Sequence, residues 1–146
     1  MMETIRVKKL KANAILPTYG SAEAAGADLY ACLDEAVTIG PGETAWISTG
    51  IALEVPKGCA GLVYARSSLG AKRGLAPANK VGVIDSDYRG EIRVVLLNHG
   101  KTPQTIEHGE RVAQFLITPV LTPAYEEVEE LTDTNRGAGG FGSTGK

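Results

Sequence analysis

Cysteine is scarce in this sequence, with only Cys32 and Cys59 among 146 residues. The two form no CxxC pair, and no histidine lies near either of them at a spacing typical of metal ligands. The sequence therefore gives no support to a disulfide framework or to a cysteine-based metal site. A chain of this length buries roughly 68–70% of its unfolded surface and folds as one domain without such crosslinks. We expect two buried free thiols in a reducing compartment.

An excess of positive charge and long apolar runs are also missing. The net charge is −2, so no global field attracts nucleic acid, and we expect no direct nucleic-acid binding. No apolar run approaches the length of a membrane span, and the N-terminal stretch METIRVKKLK lacks the apolar core of a signal peptide. We expect a cytoplasmic protein, or a mature form inside an organelle, with no membrane contact. Any anionic ligand must be held by a local cluster of Arg and Lys.

Apolar stripes with a helical period are absent over windows of 11 or more residues, so no long helix is predicted. Short segments rich in Val, Ile, Leu and Thr remain, separated by turns at many of the 18 glycines and 7 prolines. These segments predict an all-β sandwich or barrel with one short helix at 67–72. The predicted strands lie at 5–10, 27–33, 36–40, 44–49, 51–55, 60–65, 80–85, 91–98, 104–108 and 111–120.

The C-terminal stretch TDTNRGAGGFGSTGK, at 132–146, differs in composition from the rest. It is rich in glycine and cannot bury enough apolar surface to order itself alone. One interpretation is a frayed terminus. The other is a phosphate-binding loop with a stacking ring, because it also carries a guanidinium, an aromatic side chain and hydroxyls. We divide the chain into a core at 1–131 and a flexible arm at 132–146.

Two segments in the first half of the core contain residues suited to a phosphate or a cation. In AGADLYA, at 25–31, Asp28 lies among apolar residues and either makes a turn, which we favour, or holds the water shell of a cation. In YARSSLGAKRG, at 64–74, a strand delivers Arg66 to the start of the short helix. Ser67 there is either a helix N-cap or, with Arg66, part of a phosphate site.

Two further segments carry polar groups in the second half. In NKVGVIDSDYRGE, at 79–91, the aspartates form a hairpin turn, or Asp85 is a carboxylate held rigidly beside a water at the end of a buried strand. In HGERVAQFLI, at 108–117, Arg111 and Gln114 interrupt an apolar strand, and most such residues are structural. The triplets at 41–43 and 108–110 both predict a turn that launches a strand.

Taken together and in order, AGADLYA, ARSSLG, GVIDSDYRG, GERVAQ and RGAGGFGSTG resemble the five motifs of the trimeric dUTP pyrophosphatases, the dUTPases. The resemblance runs from about Ala25 to Gly145, and five ordered motifs are far more specific than any one. His108 stands where many members have proline, for which we expect only a changed turn. The resemblance implies a distorted jelly roll and a homotrimer with active sites between subunits. It also implies that the arm at 132–146 closes over a neighbour's site.

The reaction implied by the resemblance is hydrolysis of dUTP to dUMP and pyrophosphate, by water attack on the α-phosphorus with Mg²⁺. This activity limits uracil in DNA and supplies dUMP for dTMP synthesis. By the same resemblance, Asp85 is the general base that activates the water, and Asp28 holds waters of the Mg²⁺ as an outer-shell contact.

The resemblance also assigns the substrate-binding residues. Phosphate contacts fall to Arg66, Ser67 and Gln114, and in the arm to Arg136, Ser143 and Thr144. Ser68 and Gly142 are further substrate-binding residues. Contacts with the nucleoside fall to Asn79 and Gly82 at the uracil edge, Tyr88 at the deoxyribose and Phe141 stacked on the base. The nearest alternative is a dCTP deaminase, plain or bifunctional, which shares the fold but needs an added carboxylate base. A catalytically idle nucleotide-binding domain is the alternative from another class.

Overall fold

The computed structural model describes residues 4–145, and within them the chain is built almost entirely from short strands. One short helix, α1, of π-type hydrogen bonding, spans Ser68–Arg73 between the seventh and eighth strands. The strands are β1 (Val7–Lys9), β2 (Thr18–Tyr19), β3 (Ala27–Tyr30), β4 (Val37–Ile39), β5 (Thr44–Ser48), β6 (Ile51–Leu53), β7 (Cys59–Tyr64), β8 (Leu75–Pro77), β9 (Gly82–Ile84), β10 (Arg93–Asn98), β11 (Gln104–Ile106) and β12 (Arg111–Pro119). The predicted all-β class is confirmed.

The strands pair antiparallel in four sheets. The largest has the order β2-β3-β12-β7-β9, and a three-stranded sheet has the order β5-β10-β8. Strands β1 and β6 pair with each other, as do β4 and β11. Side chains that point inward from these sheets form one core, which includes the fully buried Leu29, Ile47, Leu75, Leu96 and Ile106. Alternation along β10, buried at Val94, Leu96 and Asn98, shows how each strand contributes one face to that core.

Each predicted strand overlaps an observed one, whereas β2 and β8 were not predicted. Strand β2 has two residues, too few to show an alternating pattern. Strand β8 ends at Pro77, and proline argues against a strand in a sequence pattern. The structure tolerates it because β8 lies at the edge of its sheet.

The predicted helix is present, shifted by one residue to Ser68–Arg73. It buries Leu69 and ends at Gly74, whose φ of 67° is left-handed and whose N–H bonds the carbonyl of Leu69. A Cβ at Gly74 would lie 2.8 Å from the backbone nitrogen of Gly100. Glycine at this position therefore serves both the turn and the close approach of two backbone segments.

The two predicted strand-launching turns are confirmed and share one hydrogen-bonding pattern. In the turn before β5, the Gly40 N–H donates to Glu43 Oε2 at 2.9 Å. In the turn before β12, the Glu107 N–H donates to Glu110 Oε2 at 2.8 Å. His108 and Pro41 occupy corresponding positions in these two turns, so histidine does not change the hydrogen bond that closes the turn. The Nδ1 of His108 accepts an additional hydrogen bond from the Leu33 N–H at 3.2 Å.

Both cysteines are free thiols in the described residues. Cys32 is buried, and its thiol donates to Asn13 Oδ1 at 3.4 Å. Cys59 is half-buried, which corrects the prediction of two buried thiols. It is the first residue of β7 and pairs with Pro119 at the outer end of β12, where the sheet gives less cover.

The fold ends at Pro119, and residues 120–145 form neither strand nor helix. Several large apolar side chains in this segment are almost fully exposed, including Leu121 at 94% and Tyr125 at 97%. From residue 4 to residue 145, no helix combines the length and the apolar character needed to cross a membrane.

Candidate active site

Asp28, Arg66, Ser68 and Gln114 meet at one end of the five-stranded sheet, and we call this group the Asp28 cluster. Asp28 on β3 lies opposite Gln114 on β12. Arg66, just beyond the end of β7, donates from Nε to Asp28 Oδ1 at 2.9 Å and from Nη1 to Ser68 Oγ at 3.3 Å. The Asp28 and Arg66 side chains are only 14% and 20% exposed. The cluster thus holds a guanidinium rigidly at a partly desolvated surface, a geometry suited to binding phosphate oxygens.

Gln114 is half-buried, and its amide is oriented by the backbone. Its Nε2 donates to the carbonyl of Ala65 at 2.9 Å, which satisfies the partner requirement expected for a polar group in an apolar strand. Gly26 lies beside it, and a Cβ there would come within 2.7 Å of Gln114 Oε1. The absence of a side chain at Gly26 therefore makes room for the Gln114 amide.

Ser67 precedes α1 with a helical backbone, φ −57° and ψ −40°. Within the described part of the chain, its side chain makes no capping hydrogen bond. Ser67 therefore occupies the predicted N-cap position without capping the helix through its side chain, and its exposed hydroxyl lies next to Arg66 in the chain. Ser68 is instead engaged by the guanidinium of Arg66.

Arg111 adds a second guanidinium to the Asp28 cluster, and the resemblance gave it no role. Its Nη1 lies 3.6 Å from Asp28 Oδ2, the oxygen that Arg66 leaves free. A β-bulge between Arg111 and Ala113 sets this placement. The signal in the sequence is a pair of adjacent apolar residues, Val112 and Ala113, flanked by polar ones, which breaks strict alternation at the bulge.

A second group, formed by Asn79, Gly82, Asp85 and Tyr88, lies along β9 and is called here the β9 group. Asn79 and Gly82 line a small cavity of about 80 Å³, which also touches Pro77, Ile84 and Val95. A Cβ at Gly82 would lie 3.3 Å from Asn79 Nδ2 and 3.2 Å from Val63 Cβ, so glycine keeps this backbone accessible.

The predicted hairpin, with its turn at 85–87, is wrong, because β9 pairs with β7 whereas the next strand, β10, pairs with β5 and β8. On the other side of the group, a tight turn joins β8 to β9, which lie in different sheets. In that turn the Lys80 N–H is bonded to the Pro77 carbonyl at 3.0 Å, and Lys80 has a φ of 69°. The cavity opens where the chain passes from one sheet to the other.

Asp85 is the first residue after β9, and its side chain is exposed. Strand β9 is an edge strand with Val83 60% exposed, which corrects the prediction that Asp85 leaves a buried strand. The predicted turn is confirmed, because the Tyr88 N–H bonds the Asp85 carbonyl at 3.1 Å. The Tyr88 hydroxyl donates to the Glu91 carbonyl at 2.9 Å and fixes the ring beyond the turn.

The strand register separates Asp85 from the Asp28 cluster within one chain. Ile84, next to Asp85, lies opposite Gly61 near the start of β7. Arg66 lies at the other end of β7, roughly five residues along and so about 17 Å away at ~3.3 Å per residue. One chain therefore presents the two groups as separate surfaces and does not bring the carboxylate of Asp85 to the guanidinium of Arg66.

Among the described residues, the predicted arm residues make no hydrogen bond to either group. Phe141 is fully exposed, and Arg136 uses its Nε to bond the carbonyl of Gly139 at 2.8 Å. Local turns shape the segment, including Ser143 N–H to the Gly140 carbonyl at 3.0 Å. Gly142 has a φ of 83°, and Ser143 and Thr144 are exposed. The arm thus presents its ring, guanidinium and hydroxyls to the surroundings.

Asp28 is the one carboxylate in the Asp28 cluster. Among residues 4–145, no group of three or more His, Cys, Asp and Glu side chains is placed to hold a metal ion. Mg²⁺ commonly keeps several waters and binds through one or two carboxylates and the phosphates of a substrate. The residues present therefore fit a magnesium ion that arrives with a polyphosphate and contacts the protein through water.

The chain is an all-β protein with a guanidinium–carboxylate cluster suited to phosphates and, apart from it, an exposed carboxylate. These features are typical of a phosphate-binding protein. A family model described as dUTPase matches residues 12–145. The chain belongs to the dUTPase family, which confirms the predicted family.

Curated relatives and solved structures agree with this assignment. Deoxyuridine 5'-triphosphate nucleotidohydrolase from Acinetobacter baumannii is 51% identical over 132 residues, covering 90% of this chain and 88% of the relative. The protein of the same name from Syntrophotalea carbinolica is 47% identical over 142 residues, covering 97% of each chain. The Staphylococcus bacteriophage 80alpha dUTPase with dUPNHPP superposes with a TM-score of 0.90 at 31% identity, covering 99% of this chain and 100% of the phage chain.

Proposed function

We propose that this protein hydrolyses dUTP to dUMP and pyrophosphate. The observation that carries the proposal is the extent of the family match, which runs from residue 12 to 145 and so includes Asp28, Asp85 and the arm. In a cell this reaction limits the incorporation of uracil into DNA and supplies dUMP for the synthesis of dTMP.

Asp85 is the general base of the proposed reaction. Its carboxylate accepts a proton from a water, and the water oxygen forms a bond to the α-phosphorus as the bond to the bridging oxygen breaks and pyrophosphate leaves. The turn closed by the Tyr88 N–H holds the Asp85 backbone, so the exposed carboxylate is presented from a fixed element.

The Asp28 cluster binds the phosphates. Arg66 is oriented through its Nε by Asp28 and through Nη1 by Ser68, which leaves Nη2 to donate to a phosphate oxygen. The free hydroxyl of Ser67 lies beside it at the start of α1. Gln114 is held by the Ala65 carbonyl near the α-phosphate. The substrate is thus bound by donors whose positions are set before it arrives.

Asp28 would hold a magnesium ion that accompanies the triphosphate, by accepting hydrogen bonds from the waters of that ion. When bound, the ion neutralises part of the phosphate charge and supports in-line geometry at the α-phosphorus. Asp28 supports this outer-shell arrangement because Mg²⁺ often binds through one or two carboxylates and keeps several of its waters.

Selectivity for dUTP arises in the β9 group. Asn79 and the backbone near Gly82 line the cavity between the two sheets, where fixed donors match the acceptors of uracil and reject cytosine. Tyr88 is held through its hydroxyl by Glu91 and packs against the deoxyribose, leaving no room for a 2′-hydroxyl. Close walls at this cavity also exclude the methyl group of thymine.

The active form is a homotrimer, with each site shared between subunits. The separation of Asp85 from Arg66 along β7 supports this, because the base and the phosphate site of one chain are too far apart to act on one phosphorus. The arm, at 132–146, closes over a neighbouring subunit's site. There Arg136, Ser143 and Thr144 grip the γ-phosphate, Gly142 shapes the loop, and Phe141 stacks on the uracil. Residues 120–131 act as its connector.

Pyrophosphate release from dUTP, dCTP, dTTP and UTP, with and without Mg²⁺, tests the proposal. We expect fast, Mg²⁺-dependent release from dUTP alone. Comparable turnover of dCTP would place the protein with the dCTP deaminases. No release from any of the four would leave a nucleotide-binding domain and overturn the role of Asp85.

A further inference from the structure

We propose that Arg111 is a positioning residue of the phosphate site, acting through Asp28. It holds the carboxylate oxygen that Arg66 leaves free, and it gives the cluster a net positive charge. The inference deepens the proposed dUTP hydrolysis and rests on it for the identity of the substrate.

The β-bulge in β12 is the structural basis of this role. Arg111 lies opposite Tyr30, and Gln114 lies opposite Asp28, so three residue steps on β12 match two on β3. In a regular strand, residues three apart point to opposite faces. The extra residue at the bulge leaves Val112 and Ala113 both buried and turns Arg111 and Gln114 to the same face as Asp28.

Arg66 and Arg111 each form an ion pair with a different oxygen of the Asp28 carboxylate. Arg66 Nε bonds Oδ1 at 2.9 Å, while Arg111 Nη1 lies 3.6 Å from Oδ2. With both oxygens engaged, rotation of the Asp28 side chain would break one ion pair or the other. Arg111 therefore restrains Asp28, and Asp28 in turn holds the guanidinium of Arg66 toward the phosphates.

The charge balance of the cluster also depends on Arg111. Asp28 and Arg66 alone form a neutral, partly desolvated pair that offers little attraction to a triphosphate. Arg111 raises the charge of the group to about +1, and a positive surface draws an anionic ligand and is screened by salt. Its side chain is 51% exposed, so most of its donors face the solvent from which substrate arrives.

Arg6 provides a matched control. It is an exposed arginine that lies 3.5 Å from the carboxylate of Glu54, nearly the same separation as between Arg111 and Asp28. Glu54 lies beyond β6, away from the Asp28 cluster. Replacement of Arg6 removes the same charge and a similar ion pair without touching the phosphate site.

The test compares Arg111→Gln, Arg111→Lys and Arg6→Gln with the wild-type protein. We expect Arg111→Gln to raise KM for dUTP about tenfold, the size of one charge-assisted contact, with a smaller change in kcat. Arg111→Lys should raise KM less than Arg111→Gln does, because lysine keeps the positive charge. Arg111→Gln should also weaken the salt dependence of kcat/KM, and Arg6→Gln should match the wild type in all three values.

Inorganic tripolyphosphate binding, measured by calorimetry, separates the failure of this inference from failure of the proposed function. A wild-type protein that binds tripolyphosphate without hydrolysing dUTP would overturn the proposed function, and the inference would then stand or fall on weaker tripolyphosphate binding by Arg111→Gln. Unchanged KM and unchanged tripolyphosphate affinity in Arg111→Gln would overturn the inference. An equal rise in KM in Arg111→Gln and Arg111→Lys, together with a lowered Tm in both, would assign Arg111 a purely structural role.

Discussion

Asp85 and Arg66 lie at opposite ends of strand β7. The register Gly61 to Ile84 fixes one end, and the Arg66–Asp28 hydrogen bond fixes the other. In the proposed reaction, the Asp85 carboxylate and the Arg66 guanidinium have to act on one triphosphate, so the proposal draws them from different subunits. This separation makes the proposed shared site testable by mixing variants.

Mixing two inactive variants should restore activity. In a closed ring of three subunits, any mixed trimer of Asp85→Asn and Arg66→Gln chains contains one site with both native residues. Random mixing at equal amounts should therefore give about one quarter of the wild-type rate, since about three quarters of the trimers are mixed. The measurement is pyrophosphate release after unfolding the variants together and refolding them.

The matched control refolds each inactive variant alone, which should stay inactive. A mixture of Asp85→Asn with Asp28→Asn should behave like the first mixture, because Asp28 belongs with Arg66 in one cluster. If no mixture recovered activity although mixed trimers formed, Asp85 and Arg66 of one chain would have to serve the same site.

Asp85→Asn alone should lower kcat about 10²–10⁴-fold, the range for loss of a general base. The fold should be unaffected, since the Asp85 side chain is exposed and its backbone carbonyl makes the turn. Asp87→Asn is the control within the same turn, with an exposed carboxylate that has no assigned role. Single-turnover rates measure the chemical step directly, and a rate for Asp85→Asn equal to that of Asp87→Asn would contradict the assignment.

Gly26→Ala should damage the site while sparing the fold. Its Cβ would come within 2.7 Å of Gln114 Oε1 and 3.1 Å of Leu116 Cδ1, so the amide must move from the Ala65 carbonyl. We expect kcat/KM for dUTP to fall about tenfold, the cost of a displaced hydrogen-bond donor of roughly 1.4 kcal/mol. Gly20→Ala is the control, because a Cβ there would meet no described atom within 4 Å.

The all-β class was predictable because short β-rich segments between turns carry that signal locally, as at 91–98 and 111–120. The geometry of the Asp28 cluster was not predictable from the sequence. Asp28 and Arg66 are far apart in the chain and meet only because β12 pairs with both β3 and β7. Recognition of the motifs supplied the residues but not their geometry. The edge position of β9 depends on sheet order, which no local pattern encodes. The bulge beside Arg111 leaves a local break in alternation at Val112 and Ala113, but that break does not show that Arg111 lies beside Asp28.

Tyr88→Ala should admit UTP. The ring is fixed by the hydrogen bond from its hydroxyl to the Glu91 carbonyl, and its removal opens space beside the sugar. We expect discrimination between dUTP and UTP, measured as the ratio of kcat/KM values, to fall at least tenfold, as for loss of a close steric contact. Tyr88→Phe keeps the ring and loses only the hydroxyl, so it should retain most of the discrimination. Unchanged discrimination in Tyr88→Ala would place sugar recognition elsewhere.

Deleting residues 136–146 should abolish dUTP turnover while leaving a folded trimer. The described part of this segment is exposed nearly throughout, with Phe141 fully so, and the hydrogen bonds of Arg136 and Ser143 stay within the segment. The deletion therefore removes almost nothing from the core, and Tm should shift by less than about 2 °C. Phe141→Ala should lower kcat/KM less than the deletion does, and only by raising KM, since a stacked ring contributes about 1–3 kcal/mol to binding.

Removing only 145–146 is the control for the deletion and should leave the rate of dUTP hydrolysis unchanged. An unaltered rate after the full deletion would contradict the role of the arm, whereas a monomer would show that the segment serves assembly instead.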